Sequence, residues 1–210
     1  MGSYLGALSS LTAPQLGSVA IRAAIERAGI EASVIDEVFM GNVLNAGVGQ
    51  APARQAAIGA GVPVNAPATT VSKVCGSGLQ AVILGAKTIA LGDADLVLAG
   101  GMEAMSQVPY YLPKARSGYR MGHGQVIDGM VHDGLWDPYG DFHMGEAGER
   151  CAAKFDLSRQ AQDAYAKQSY ERALSAQKEG LFKDELVSVE RGVIEQEIER
   201  VWSGNVADAE

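Results

Sequence analysis

The sequence predicts an α/β fold: a mixed, mostly parallel sheet flanked by helices. Helical and strand-like segments alternate over the first hundred residues, which favours a layered α/β arrangement with parallel strands. Leu96-Val97-Leu98-Ala99 is a continuous apolar run, as in a strand covered on both faces. Pro63 and Pro67 bound a loop between two of these segments.

The elements follow in order. Thr12-Ala13-Pro14-Gln15 reads as a capping box with proline in the first turn. Leu16, Val19, Ala20, Ala23 and Ala24 recur at helical spacing, and Gly29 ends the helix. A short strand is expected near Glu37–Leu44, an alanine-rich helix near Ala51–Ala60, and a β-branched strand over Thr69–Val74. The next helix, about Gly76 to Leu91, is nearly apolar all round and is therefore expected to be buried. Residues 105–145 lose periodicity and hold all three histidines, and a loop region of this length is usually functional. Ser158 caps a polar amphipathic helix, roughly Arg159–Glu179, closed by Gly180. A strand is expected at Leu186–Val189. Beyond it, Ile194, Ile198, Val201 and Trp202 share one face of a short acidic helix. The resulting partition is a core at 1–105, a loop segment with return helix at 106–185, and a strand with acidic tail at 186–210.

Composition narrows the function. The 210 residues are 47% hydrophobic and 20% charged, enough apolar material for a packed core. The formal net charge of −8 argues against nucleic acid, whose phosphates want clustered Lys and Arg. No apolar run is expected to reach the roughly 18 residues of a membrane span. The first residues lack the basic and apolar regions of a signal peptide. Two distant cysteines make a poor disulfide framework, so a cytoplasmic protein is expected.

Cys75 in Ser72-Lys73-Val74-Cys75-Gly76-Ser77-Gly78 stands where a strand ends and a helix begins. A helix N-terminus, with its unpaired N–H groups and macrodipole, favours a thiolate. Glycines on either side of Ser77 let a substrate approach the backbone closely. The N–H groups of Cys75 and Gly76 are candidates for stabilising an oxyanion. The pattern alone leaves open a buried structural cysteine, since free cysteine is among the most buried residue types. His123, His132 and Cys151 show no metal-ligand spacing, so no metal is expected, and Cys151 is expected to be an inert buried thiol. The glycine-rich Gly47-Val48-Gly49-Gln50 is no phosphate cradle, because no Lys-Ser/Thr follows it.

Four stretches together resemble the thiolases, and acetyl-CoA C-acetyltransferases most of all: VCGSGLQAV (74–82), LVLAGGMEAMS (96–106), DGLWDPYGDFHMGEAGE (133–149) and GNVLNAGVGQAPARQAA (41–57). The motifs occur in the family's order over about Leu5 to Val189. The resemblance implies half of a thiolase fold, lacking its first strand and including part of an inserted loop domain. It makes Cys75 the nucleophile that takes an acyl group from acyl-CoA, with its backbone N–H in one oxyanion hole. It places His143 and Met144 at the acyl pocket and Leu135 against the pantetheine arm. Residues 119–131 fall where the family has a tetramerisation loop, implying a homodimer or homotetramer. The implied reaction condenses two acetyl-CoA to acetoacetyl-CoA and CoA, or reverses it. Coenzyme A thioesters are then substrates, and no bound cofactor is implied.

The sequence also departs from the family. The Gly-His-Pro histidine, the Cys-x-Gly cysteine and the Asn-Glu-Ala-Phe-type asparagine of a thiolase's second half do not occur here. Such groups act with the nucleophile as a unit, so their loss costs orders of magnitude in rate. Two alternatives follow: a catalytically inactive oligomerisation or partner module, and a 3-ketoacyl-CoA thiolase for longer chains.

Overall fold

A computed structural model describes residues 2–189 of the chain. They form two compact units, one running to Gly134 and taking in Val189, the other Leu135–Ser188.

The first unit is built on a three-stranded parallel sheet. Helix α1 (Ala13–Ala28) opens with the expected capping box: the Thr12 N–H donates to Gln15 Oε1 at 2.8 Å, and the Gln15 N–H donates to Thr12 Oγ1. It ends at Gly29, whose φ of 65° is the left-handed cap that glycine adopts without cost. Strand β1 (Glu37–Gly41) is central, between β2 (Ala68–Val71) and β3 (Val97–Gly101), with Val38 level with Ala68 and Leu98. Helices α2 (Pro52–Gly59) and α3 (Ser77–Leu91) join these strands.

Strand β1 divides its side chains between two faces, as the two-residue period requires. Val38 and Met40 pack with Ile21 and Ile25 of α1 and with Ala53, Ala56 and Ala57 of α2. Phe39 packs on the other face with Val71 and with Ala81 of α3. Helices α1 and α2 therefore cover one face and α3 the other. The α1–α2 packing depends on small residues: a Cβ at Gly17 would stand 2.6 Å from Met102 Sδ and 3.2 Å from the Ala56 Cβ.

Strands β1 and β3 are also tied at their starts. The Asp36 carboxylate accepts the N–H groups of Leu96 and Asp95, each at 2.9 Å. These two bonds, that from Leu96 first, hold the Asp36 carboxyl below its ordinary value of 3.8. A depressed carboxylate pKa means stability that is present above the unfolded value and lost as pH falls through the folded one. Asp36→Ala should therefore lower the urea midpoint at neutral pH. The gap from the parent should close as the pH is taken below 3.8, which paired denaturation curves measure.

Three expectations need correction here. Helix α3 is not buried all round: only Ser77, Ala81 and Gly85 are, while Leu79 and Leu91 are 68% and 77% exposed. A three-stranded sheet covers one side of a helix, and composition does not say how many sides are covered. The segment Val74–Leu91 is also long and apolar enough, by length and composition, to span a membrane, contrary to the expectation of no such run. It carries Lys73 just before it and Gln80 and Lys87 within it, and its Ala81–Gly85 face packs on the sheet. Finally, Leu186–Val189 is irregular rather than a strand. Val189 instead packs beside Leu11 and Val19. The acidic helix expected beyond it lies outside the described residues.

The expected loop region contains short paired pieces. In the first unit β4 (Tyr110–Tyr111) pairs antiparallel with β5 (Ile127–Asp128), and the Tyr111 hydroxyl donates to the Asp133 carboxylate. That hydrogen bond, then burial, pushes the Tyr111 hydroxyl up to about 12. In the second unit β6 (Trp136–Asp137) pairs antiparallel with β7 (Phe142–His143), followed by α4 (Met144–Lys154) and α5 (Arg159–Lys178). Ser158 caps α5 as expected, its Oγ accepting the Ala161 N–H at 3.2 Å.

Candidate active site

Cys75 is exposed, at the carboxyl end of the sheet, where open α/β sheets usually bind ligands. The chain leaves β2 at Val71 and reverses into α3 through a tight elbow. Val74 there has a φ of 47°. A β-branched residue in the left-handed region is a genuine outlier, and such strain costs about 1–3 kcal/mol unless its surroundings fix it.

Hydrogen bonds within the elbow do fix it. The Gly76 N–H donates to the Lys73 carbonyl and the Ser77 N–H to the Val74 carbonyl, both at 3.1 Å. The Ser77 hydroxyl accepts the Lys73 N–H at 2.8 Å and donates to the Val74 carbonyl at 2.6 Å. The Gly76 N–H is thus already engaged with Lys73, which leaves the Cys75 N–H as the better of the two expected oxyanion donors.

Glycines bring the elbow down onto the sheet. A Cβ at Gly41, the last residue of β1, would stand 2.6 Å from both the Gly78 nitrogen and the Ser77 carbonyl carbon. A Cβ at Gly101, the last residue of β3, would stand 3.2 Å from the Gly78 Cα. The Met102 N–H donates to the Gly41 carbonyl at 2.9 Å, so the two strand ends are joined beneath the start of α3.

A carboxylate fixes the segment that follows β1. Glu103 accepts from Asn42 Nδ2 at 2.8 Å, from the Val43 N–H at 2.9 Å and from the Leu44 N–H at 3.3 Å. Asn42 is fully buried and also donates to the Met102 carbonyl at 3.3 Å, while its Oδ1 has no protein partner.

The other expected site residues belong to the second unit, where the structure brings them together at one hairpin. Leu135 immediately precedes β6, His143 ends β7 opposite Trp136, and Met144 begins α4. The turn of that hairpin is braced at Asp137, whose Oδ2 accepts the Gly140 N–H at 2.8 Å, and at Asp141, whose Oδ1 accepts from Trp136 Nε1 at 3.0 Å. His143 is the N-cap of α4, its Nδ1 accepting the Gly145 N–H at 3.0 Å. With Nδ1 serving as acceptor, the neutral ring carries its proton on Nε2, which is left as the donor. Leu135 is half-buried and both His143 and Met144 are exposed.

Cys151 departs from its expectation. It lies on α4 and is exposed rather than buried, because no residue of α4 is buried. Among the described residues no group of three or more His, Cys, Asp or Glu is placed to hold a metal. Sequence reasoning passed over Ser77, Asn42 and Glu103. Ser77 did leave a signal, since a serine at the start of a helix commonly bonds backbone groups a few residues back. Glu103 left none, because its partners lie about sixty residues away.

A parallel sheet with helices on both faces and an exposed cysteine on an elbow at its carboxyl end defines the class: a layered α/β protein. The sequence matches the family described as "Thiolase, N-terminal domain" over residues 1–209, and the chain belongs to the thiolase family. It is 56% identical over 190 residues to acetyl-CoA acetyltransferase 1 of Arabidopsis thaliana, covering 90% of this chain and 46% of that protein. It is 50% identical to an acetyl-CoA acetyltransferase of Pseudomonas aeruginosa, covering 90% and 48%. A cytosolic acetyl-CoA acetyltransferase of Gibberella zeae is 56% identical, again covering 90% and 48%. The chain thus spans about half the length of the curated relatives it matches.

Proposed function

We propose that this chain is the nucleophile-bearing part of a thiolase-type acyltransferase acting on acetyl-CoA and acetoacetyl-CoA. The observation that carries the reading is the elbow that exposes Cys75 at the carboxyl end of the sheet. The names of the relatives supply the substrate class.

The Cys75 sulfur attacks the thioester carbonyl carbon, and the carbonyl oxygen becomes an oxyanion facing the Cys75 N–H. The carbon–sulfur bond to coenzyme A then breaks. Coenzyme A leaves as its thiol with the proton that Cys75 gave up, and S-acetyl-Cys75 remains. One thioester replaces another, so the step is nearly balanced in energy and needs no oxidant or cofactor. The resemblance to thiolases assigns His143, whose Nε2–H is left as a donor, and Met144 to binding the acyl group, and Leu135 to binding the pantetheine arm. The polar groups that complete condensation in the family, a base histidine and a second cysteine, come from sequence that has no counterpart here.

Assembly as a homo-oligomer in the cytoplasm fits the same reading. Met121, within the 119–131 segment, is 98% exposed, and one relative is named cytosolic. The fatty-acid and acetoacetyl-CoA chemistry of such enzymes is the expected metabolic setting.

Substrate protection tests the proposal. Acetyl-CoA should slow iodoacetamide labelling of Cys75, read by peptide mass spectrometry, and leave Cys151 unchanged. Equal labelling of Cys75 with and without acetyl-CoA would count against it.

A further inference from the structure

We propose that Ser77 is a positioning residue for Cys75. Its hydroxyl holds Val74 in the left-handed conformation, and that conformation presents the Cys75 sulfur. The inference rests on the reading of Cys75 as a nucleophile.

The geometry is local and closed. One oxygen serves both sides of the strained residue, accepting from the Lys73 N–H at 2.8 Å and donating to the Val74 carbonyl at 2.6 Å. Ser77 is buried, whereas Lys73, Val74 and Cys75 are exposed, so these three residues are held mainly by the elbow's own hydrogen bonds, with one more from Lys73 Nζ to Gln80 Oε1 at 2.9 Å. Valine has no intrinsic reason to remain at a φ of 47°. Without the hydroxyl, the Lys73 N–H turns to water and the Val74 carbonyl keeps only the Ser77 N–H at 3.1 Å, which leaves Val74 free to relax towards the extended region. Cys75 is the next residue, so its sulfur moves with that change. A hydroxyl suits the place because its one oxygen both accepts from the N–H and donates to the carbonyl.

The test uses the full chain and iodoacetamide, with labelling resolved to Cys75 and Cys151. Cys151 is exposed on a separate unit and serves as the internal reference. Ser77→Ala should lower the Cys75:Cys151 rate ratio severalfold, since the rate of thiol reaction follows access to the sulfur. Adding Val74→Asn, a residue that accepts the left-handed conformation, should restore most of the ratio. A role for Ser77 in packing alone would not be repaired at Val74.

An unchanged ratio in Ser77→Ala with an intact circular dichroism spectrum would overturn the proposal. So would a double variant that folds and still labels slowly. If Ser77→Ala does not fold, the double variant decides: folding with parental labelling supports the proposal. Failure of both to fold overturns it, because Ser77 would then serve the core rather than the elbow. Iodoacetamide requires no acyl-CoA. If acetyl-CoA fails to acylate the parent chain while Ser77→Ala still slows alkylation, the acyltransferase reading falls and the positioning role stands.

Discussion

Gly41→Val should both destabilise the first unit and silence Cys75. The new Cβ would meet the Gly78 nitrogen and the Ser77 carbonyl carbon at 2.6 Å, and both are backbone atoms that no rotamer change can move aside. Forcing side-chain atoms into a packed site usually costs about 1–3 kcal/mol, and two further methyl groups on a clash with backbone put this case at the upper end. The strain falls on the start of α3, so the elbow must lift from β1. Urea denaturation should show a lower midpoint, and Cys75 labelling should drop while Cys151 is unaffected. Gly29→Ala offers a contrast: a Cβ there meets nothing within 4 Å, and the substitution is strained only by its φ of 65°. It should cost stability without touching Cys75.

Met40→Ala should be the most destabilising of the simple truncations, by about 2–5 kcal/mol. Met40 is 2% exposed, in the central strand, within the cluster that joins α1 and α2 to the sheet. Its thioether also fills the space over Gly100, where a Cβ would stand 3.2 Å from Sδ. With neighbours on the helices and on β3, the site has little freedom to collapse around a cavity. The measurement is the shift in urea midpoint at constant slope. Val34→Ala, at an exposed position, should change it little.

The fold was legible wherever local chemistry decides it. Thr12, Pro14 and Gln15 specify one end of α1 and Gly29 the other, and the structure follows them residue by residue. Strand β1 was found from its apolar run, although the structure ends it at Gly41 because the following backbone turns to meet Glu103. The location of Cys75 between a strand and a helix was legible for the same reason.

Burial was less so. Composition marks α3 and Cys151 as apolar, but how many faces are covered depends on partners distant in sequence, and here α3 meets the sheet on one side. Leu186–Val189 has strand-forming residues yet is irregular, because strand propensity is weak against tertiary context. The elbow's hydrogen bonds were hidden differently: Ser77 lay in plain view within the motif, yet only the φ of Val74 shows what its hydroxyl holds.

The central claim is that Cys75 carries the acyl group. Intact mass of the chain after incubation with acetyl-CoA, beside Cys75→Ala, tests it most directly. One added acetyl group on the parent chain and none on the variant is the predicted result. An acetyl group that persists in Cys75→Ala, or a folded parent chain that gains none, would contradict it.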